Sequence, residues 1–462
     1  MRLVRLVLVL GLVTLGTVAA AVPRDPVAEV RARLGSVAGL RIESGKLING
    51  KPFFVLWFRQ PVDQHRPDGE QFEQRITLWH KGFDRPTVLH TTGYGGVAGV
   101  FTAEPTRLVD GNQLNVEQRF FGKSSPASKD WTKLDIWQAA TDHHRIVQVF
   151  KALYGGKWVS TGASKGGMTS VYHRRFYPAD VDATVAYVAP QDVVNEQDSY
   201  VDFVQQAGTD PNCNEALRVV QWNALYRRTS MVAKLTKLGL KYEQTYGSAD
   251  RAFEAAVLDT PFAFWQYHSQ TGCLLVPGRN ATDQQLFDFI DEIADWSFYS
   301  DEGTAGFTAY YYQATAQLNW PDVATGTTWL KGLLRHREAG AAPAAVPDAI
   351  EPRHDPAAMA DVDRWLKTSG ERLLFVYGEN DPWSAEKFEP GPGTRDSHWF
   401  TVPAGNHNAS IAGLPTAVRQ EATTILQTWL GVPVDTTIRA LADRQPLGHG
   451  LPGLVDAGLD RP

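Results

Sequence analysis

Two cysteines, Cys213 and Cys273, and four methionines are all the sulfur in this chain of 462 residues, and that scarcity excludes several functions. A tetrahedral metal site draws its ligands from Cys, His and acidic residues at short spacings. No cluster of that kind occurs, so neither a metal nor another cofactor is expected. A membrane span is also missing: the apolar run Leu6 to Gly16 falls well short of the roughly 20 residues a spanning helix needs. Basic patches are absent too. With 45 Lys and Arg against 51 Asp and Glu, and no aromatic-interleaved lysine run, nucleic acid is not an expected partner. No internal repeat is apparent.

The first residues have the three parts of a secretory leader: basic Met1 to Arg5, apolar Leu6 to Gly16, and the small-residue site Ala19-Ala20-Ala21. Residues 1–21 are therefore expected to be removed, leaving a secreted, extracellular protein with no stable membrane association. Arg2 and Arg5 are not adjacent, which argues against a twin-arginine signal. In an oxidising compartment a lone pair of cysteines most simply bonds to itself, so a Cys213–Cys273 disulfide is expected.

Against these absences stands Gly162-Ala163-Ser164-Lys165-Gly166-Gly167. It follows the apolar run Trp158 to Thr161 and opens a helix-like stretch through Phe176, the layout of a nucleophile elbow. A serine on such a turn sits in a strained conformation, and strand and helix approach so closely that the positions two before and two after it must lack side chains. An acid and a histidine should follow in that order, each in a loop after a strand. Arg372 to Tyr377 reads as a buried strand delivering Asp381, with Glu379 as the rival acid; Trp399 to Pro403 reads as another, followed by the small-residue loop that carries His407. His398, inside that strand, is the decoy. In this arrangement His407 takes the Ser164 proton and Asp381 holds the imidazole tautomer. The backbone N–H of Lys165 and that of Tyr94, in the glycine-rich loop Thr92 to Gly96 after the strand Pro86 to Thr91, are the expected oxyanion donors.

Strand-like runs at 53–58, 75–79, 87–90, 113–118, 157–161 and 184–188, with a helix at 136–153 between the fourth and fifth, predict an α/β fold with a mostly parallel sheet. After Pro190 strand signals nearly vanish, and helical patterns such as 214–238 and 283–298, rich in Trp and Tyr, take over. The expected organisation is a hydrolase core over 22–190 and 366–430, a helical cap inserted at 191–365 that returns through an Ala- and Pro-rich linker at 339–356, and a loop-rich tail at 431–462.

The elbow, the segment Asn115-Val116-Glu117-Gln118-Arg119-Phe120-Phe121-Gly122-Lys123-Ser124-Ser125-Pro126 and Tyr312-Gln313 together resemble the secreted actinobacterial prolyl tri-/tetrapeptidyl aminopeptidases. More distantly they resemble the lysosomal Pro-Xaa carboxypeptidase group. The resemblance covers most of the chain and implies an α/β-hydrolase core, a helical cap, a Ser/Asp/His triad, and release of short peptides ending in proline from peptide substrates with a free N-terminus. Such an enzyme must hold an ammonium, for which a buried carboxylate is the natural partner. Candidates are Glu117 and the acids Asp288, Asp291, Glu292 and Asp295, which share one helical face. Aromatic residues for a proline pocket are sought among Trp296, Tyr299, Tyr310 to Tyr312, Trp320 and Trp383. Two alternatives stay open: a secreted esterase or lipase on the same core, and a carboxypeptidase using cap cations such as Arg218, Arg227 and Arg228.

Overall fold

The computed structural model describes residues 25–96, 100–196 and 198–434. The expected leader at 1–21 and all but the first four residues of the expected tail lie outside this range. Nine strands form one sheet: β1 (Leu40–Ile48), β2 (Lys51–Pro61), β3 (Gln71–Trp79), β4 (Thr87–Thr91), β5 (Asn112–Val116), β6 (Trp158–Ala163), β7 (Ala183–Tyr187), β8 (Leu373–Gly378) and β9 (His398–Val402). Their order is β1-β2-β3-β5-β4-β6-β7-β8-β9. The first three strands and β5 pair antiparallel, and everything from β5 through β9 pairs parallel. The chain leaves β4 toward β5 on one side and returns to β6 on the other, so the carboxyl ends of β4 and β6 flank a topological switch point, where open α/β sheets place their ligands.

Alternation along the strands explains the layers. Leu89 and Leu114 face a core completed by Ile146, Val147 and Phe150 of the helix Ile136–Lys151. Val88, Val159, Val185 and Val376 face the opposite core, closed by Leu426 and Trp429 of the helix Thr416–Trp429. Both faces are covered, as a parallel sheet requires. This is the α/β-hydrolase arrangement expected from the sequence. Strand β1 was not expected, because it is an edge strand with no fully buried residue, and the apolar signal of the hairpin lies in its partner β2.

Between β7 and β8 the named elements are all helical. They have a core of their own, with Leu217, Phe253, Trp265, Leu286, Ile290 and Trp296 at its centre. The expected helix over 214–238 is broken at Arg227 into Pro211–Tyr226 and Arg228–Lys237. Arg227 there donates to the Ala281 carbonyl and pairs with Asp283. Cys213 and Cys273 are bonded, 60 residues apart in sequence, a cross-link that contributes about 4 kcal/mol in the chain-entropy picture. Residues 339–356 are not a simple linker: Ala339, Ala342 and Ala345 are buried in short 3-10 turns. Their alanines and prolines suggest a spacer, but here small side chains let the backbone pack closely.

Candidate active site

Strand β6 ends at Ala163, and Ser164 takes φ 53° and ψ −130° before the helix Lys165–Phe176 begins. A side-chain-bearing residue in that region is strained, and the surroundings enforce it. A Cβ on Gly162 would stand 2.3 Å from the Gly166 carbonyl carbon, and one on Gly166 would stand 2.5 Å from the Thr91 carbonyl oxygen. Strand, turn and helix therefore meet at backbone contact, and Ser164 projects from the top of the sheet into a cavity that it lines.

Asp381 and His407 arrive from the carboxyl ends of β8 and β9. His407 Nδ1 lies 2.8 Å from Asp381 Oδ2, and both side chains are buried. The other carboxylate oxygen of Asp381 accepts the Trp383 N–H. The histidine loop is anchored to the cap: the backbone N–H of His407 donates to the Gln266 carbonyl and Asn406 Nδ2 to that of Tyr267. These are carbonyls at the C-terminal end of the cap helix Ala249–Tyr267, which lack intrahelical partners. Rings of Tyr267 and Trp383 flank the imidazole. His407 Nε2 is buried and makes no hydrogen bond among the described residues. The Ser164 hydroxyl instead contacts that of Tyr94. Catalytic hydrogen bonds of this kind commonly close only with substrate in place. Neither rival competes: Glu379 is exposed and accepts the Ala404 N–H, and His398 lies beside Asp396 and Trp429.

The oxyanion side differs from expectation in one atom. Lys165 is the first residue of its helix, so its N–H stands outside the helical ladder. The Tyr94 N–H, however, is engaged with Thr92 Oγ1 at 3.2 Å. What Tyr94 brings to Ser164 is its hydroxyl, whose proton is held firmly because burial pushes the phenol well above its usual range. The sequence could place this residue but not say which of its donors faces the serine. Lys165 contributes from its side chain as well. Its Nζ donates to the Gly93 carbonyl at 2.6 Å and sits over the rings of Phe121 and Tyr94, and burial pulls its ammonium down to about 7. It ties the elbow to the Tyr94 loop.

Glu117 does not reach the cavity. Its carboxylate accepts from the Gly96 N–H on one oxygen and from the N–H and hydroxyl of Ser124 on the other, and the residue is 4% exposed. Arg119 is fully buried in a two-pronged pair with Asp142 and donates to the carbonyls of Pro61, Val62 and Lys133. The segment from Glu117 to Ser124 is thus scaffolding beneath the Tyr94 loop. Gly122, at φ +49°, passes so close that a Cβ would meet the Glu117 carboxylate at 2.8 Å.

The acidic stripe of the cap is also absent from the cavity lining. Asp288 and Glu292 are exposed, Asp291 accepts the Trp296 N–H, and Asp295 caps the turn Trp296–Tyr299. Of the expected aromatics, Tyr299, Tyr310, Tyr311, Trp320 and Trp383 do line the cavity with Ser164 and Tyr94. Trp296 is in the cap core, and Tyr312 packs on Trp131. The cavity and its mouth together hold about 920 Å³ of free space, solvent included. Among the described residues, the one charged group lining it is Asp259. Sequence reasoning missed it, although a signal exists: it is the only charge between Ala255 and Trp265. The three cap arginines are elsewhere, Arg227 with Asp283, Arg228 with Asp250 and Glu254, and Arg218 with Glu215.

Comparison with known proteins gives three further findings. The family described as PS-10 peptidase S37 matches residues 23–451. A prolyl tri/tetrapeptidyl aminopeptidase of Streptomyces mobaraensis is 44% identical over 442 residues, covering 94% of this chain and 91% of that protein; the thymus-specific serine protease of Mus musculus is 28% identical over 172 residues, 33% of each. Among solved structures, a proline iminopeptidase of Mycobacterium smegmatis is 12% identical with a TM-score of 0.37, covering 81% of this chain and 98% of that one.

Proposed function

Because the chain belongs to the PS-10 peptidase S37 family, we propose that it is a secreted serine exopeptidase that removes tri- or tetrapeptides ending in proline from the free N-terminus of peptide substrates. The observation that carries this reading is the buried His407–Asp381 pair, delivered from the carboxyl ends of β9 and β8, with a strained Ser164 at the end of β6 that opens into a capped aromatic cavity. The 44% identity to an enzyme named for prolyl tri- and tetrapeptidyl release supports that substrate class. Secretion is supported by the sequence of residues 1–21 and by the disulfide, a bond that persists in oxidising compartments. Among the described residues no helix is long and apolar enough to cross a membrane.

Ser164 Oγ attacks the scissile carbonyl as His407 Nε2 takes its proton, and the Nδ1–H bond to Asp381 steadies the imidazolium. The tetrahedral oxyanion accepts from the Lys165 N–H and, in place of the Tyr94 N–H, from the Tyr94 hydroxyl. Collapse breaks the C–N bond, His407 returns the proton to the leaving amine, and the shortened peptide departs. Water activated by the same histidine then hydrolyses the acyl-enzyme, releasing the N-terminal fragment. A carboxypeptidase would need a cation in the cavity for the terminal carboxylate, and among the described residues no Lys or Arg lines it.

The test is a panel of Ala-Ala-Pro-p-nitroanilide with a free amine, its N-acetyl form, and p-nitrophenyl esters, with Ser164→Ala as the blank. Cleavage of the free-amine peptide, strongly reduced by acetylation and abolished in the variant, is the expected result. Activity on esters alone would remove the peptidase reading, and activity surviving in Ser164→Ala would remove the nucleophile.

A further inference from the structure

The cap helix Ala249–Tyr267 turns one face to the cavity, through Ala255, Asp259, Phe262 and Gln266. These positions follow the i, i+4, i+7, i+11 spacing of a single helical stripe. Three of the four are uncharged, so Asp259 places one carboxylate in an otherwise neutral aromatic wall. Pro261 sits in the same helix two residues later and cannot donate to the Val257 carbonyl. Gln221 Nε2 donates to that carbonyl at 3.0 Å, so the acceptor that Pro261 leaves unpaired beside Asp259 is satisfied.

The carboxylate has a neutral partner and no cationic one. Tyr299 donates its hydroxyl to Asp259 Oδ2 at 2.7 Å, and no Lys, Arg or His pairs with Asp259 among the described residues. Three buried carboxylates elsewhere are matched, Asp142 by Arg119, Glu254 by Arg228, and Asp180 by His173 and His144, whereas Asp259, half-buried in the cavity wall, is not. A buried charge without a counter-ion is costly. Burial raises the Asp259 carboxyl above its ordinary range, and the Tyr299 hydrogen bond opposes that shift. Such a group sits in a cavity shared with the nucleophile, and what would complete it is a cation on the substrate.

We propose that Asp259, oriented by Tyr299, is the counter-ion for the α-ammonium of the peptide substrate and so makes the enzyme an aminopeptidase. The proposal rests on the serine exopeptidase reading above and assigns its N-terminal subsite. Ammonium meets carboxylate inside a low-dielectric aromatic enclosure, where a charge-assisted hydrogen bond is far stronger than in water. An acetylated N-terminus brings a neutral amide that cannot neutralise the carboxylate and is therefore rejected.

The experiment uses the full chain carrying Asp259→Asn and, separately, Tyr299→Phe. For each, kcat/KM is measured on free-amine and N-acetyl Ala-Ala-Pro-p-nitroanilide, and a fluorophosphonate probe labels Ser164 to report an intact, folded nucleophile. In Asp259→Asn, labelling is expected to persist while the preference for the free amine over the acetylated substrate falls by about 100-fold or more, the size of effect for unpairing a buried charge. Tyr299→Phe is expected to lower the same ratio by about 5- to 10-fold, by removing one neutral hydrogen bond to the carboxylate. A wild-type preference that survives in labelled Asp259→Asn overturns the assignment and leaves the exopeptidase reading standing. A wild-type enzyme that labels but cleaves no free-amine peptide overturns both. Should Asp259→Asn fail to label, an unchanged ratio in Tyr299→Phe overturns the assignment on its own.

Discussion

Glu117 offers a sharp test, because two roles for one carboxylate predict different results. As a scaffold it accepts the Gly96 N–H on Oε2 and two Ser124 donors on Oε1, with the Arg75 guanidinium alongside. In Glu117→Gln one of those oxygens becomes an NH₂ group. The cheaper orientation keeps Ser124 satisfied and turns the amide nitrogen toward the Gly96 N–H, leaving a buried donor without an acceptor at a cost of about 1–3 kcal/mol. Loss of charge assistance at the two remaining bonds adds about 1 kcal/mol. A total near 2–4 kcal/mol corresponds to a drop in Tm of about 2–4 °C for a chain of this size.

Because Gly96 is two residues from Tyr94, the freed loop also loosens the hydroxyl that reaches Ser164. We expect kcat to fall about 10-fold on free-amine and acetylated substrates alike, since the loss is of transition-state alignment and not of ammonium binding. Differential scanning fluorimetry and the two-substrate assay measure both quantities. If Glu117→Gln melts within about 1 °C of the wild type yet loses its preference for the free amine, Glu117 is itself the ammonium anchor, and the scaffold reasoning and the Asp259 assignment both fail.

Two further outcomes follow from buried charge. Arg119→Met leaves Asp142 without its cation and three carbonyls without a donor, so it should destabilise by about 3–5 kcal/mol or more, whereas adding Asp142→Leu should recover part of that loss; a double variant worse than the sum of the singles would refute this, measured by thermal melts. Asp192 is pushed up to about 7 from its ordinary 3.8, first by burial and then by Glu386 and Asp198. Its folded-state value lies above its unfolded one, so the folded protein holds an extra proton between roughly pH 4 and 7 and loses stability as pH rises through that window. Asp192→Asn should therefore raise Tm at pH 8 and not at pH 4, and an equal shift at both would show that its ionisation is not the cause.

The triad candidates were legible because each is announced by local backbone physics. A strained serine needs Gly162 and Gly166, and a carboxyl-end loop needs turn residues such as those around Asp381 and His407; all of these are short-range in sequence. Three features were not local. Strand β1 has its apolar signal in its partner β2. The choice between the N–H and the hydroxyl of Tyr94 depends on a loop conformation set by Thr92, Gly96 and Glu117 together. The alanines of 339–345 read as spacer until the cap helix is folded against them.

Asp259 was missed for a more instructive reason. Besides Glu117, the acidic stripe of the cap stands out in the sequence by its density, and density is what solvent permits: four carboxylates on one helical face repel one another unless water screens them. A buried site works by the opposite rule. One unpaired carboxylate is already costly, and a second beside it would force one of the two to hold a proton. An anchor for a single ammonium should therefore appear in sequence as one acid alone in an apolar helix, with its missing counter-ion supplied from outside the chain. The stretch from Ala255 to Trp265 has that pattern, and among the described residues Asp259 is the one charged group lining the cavity that Ser164 shares.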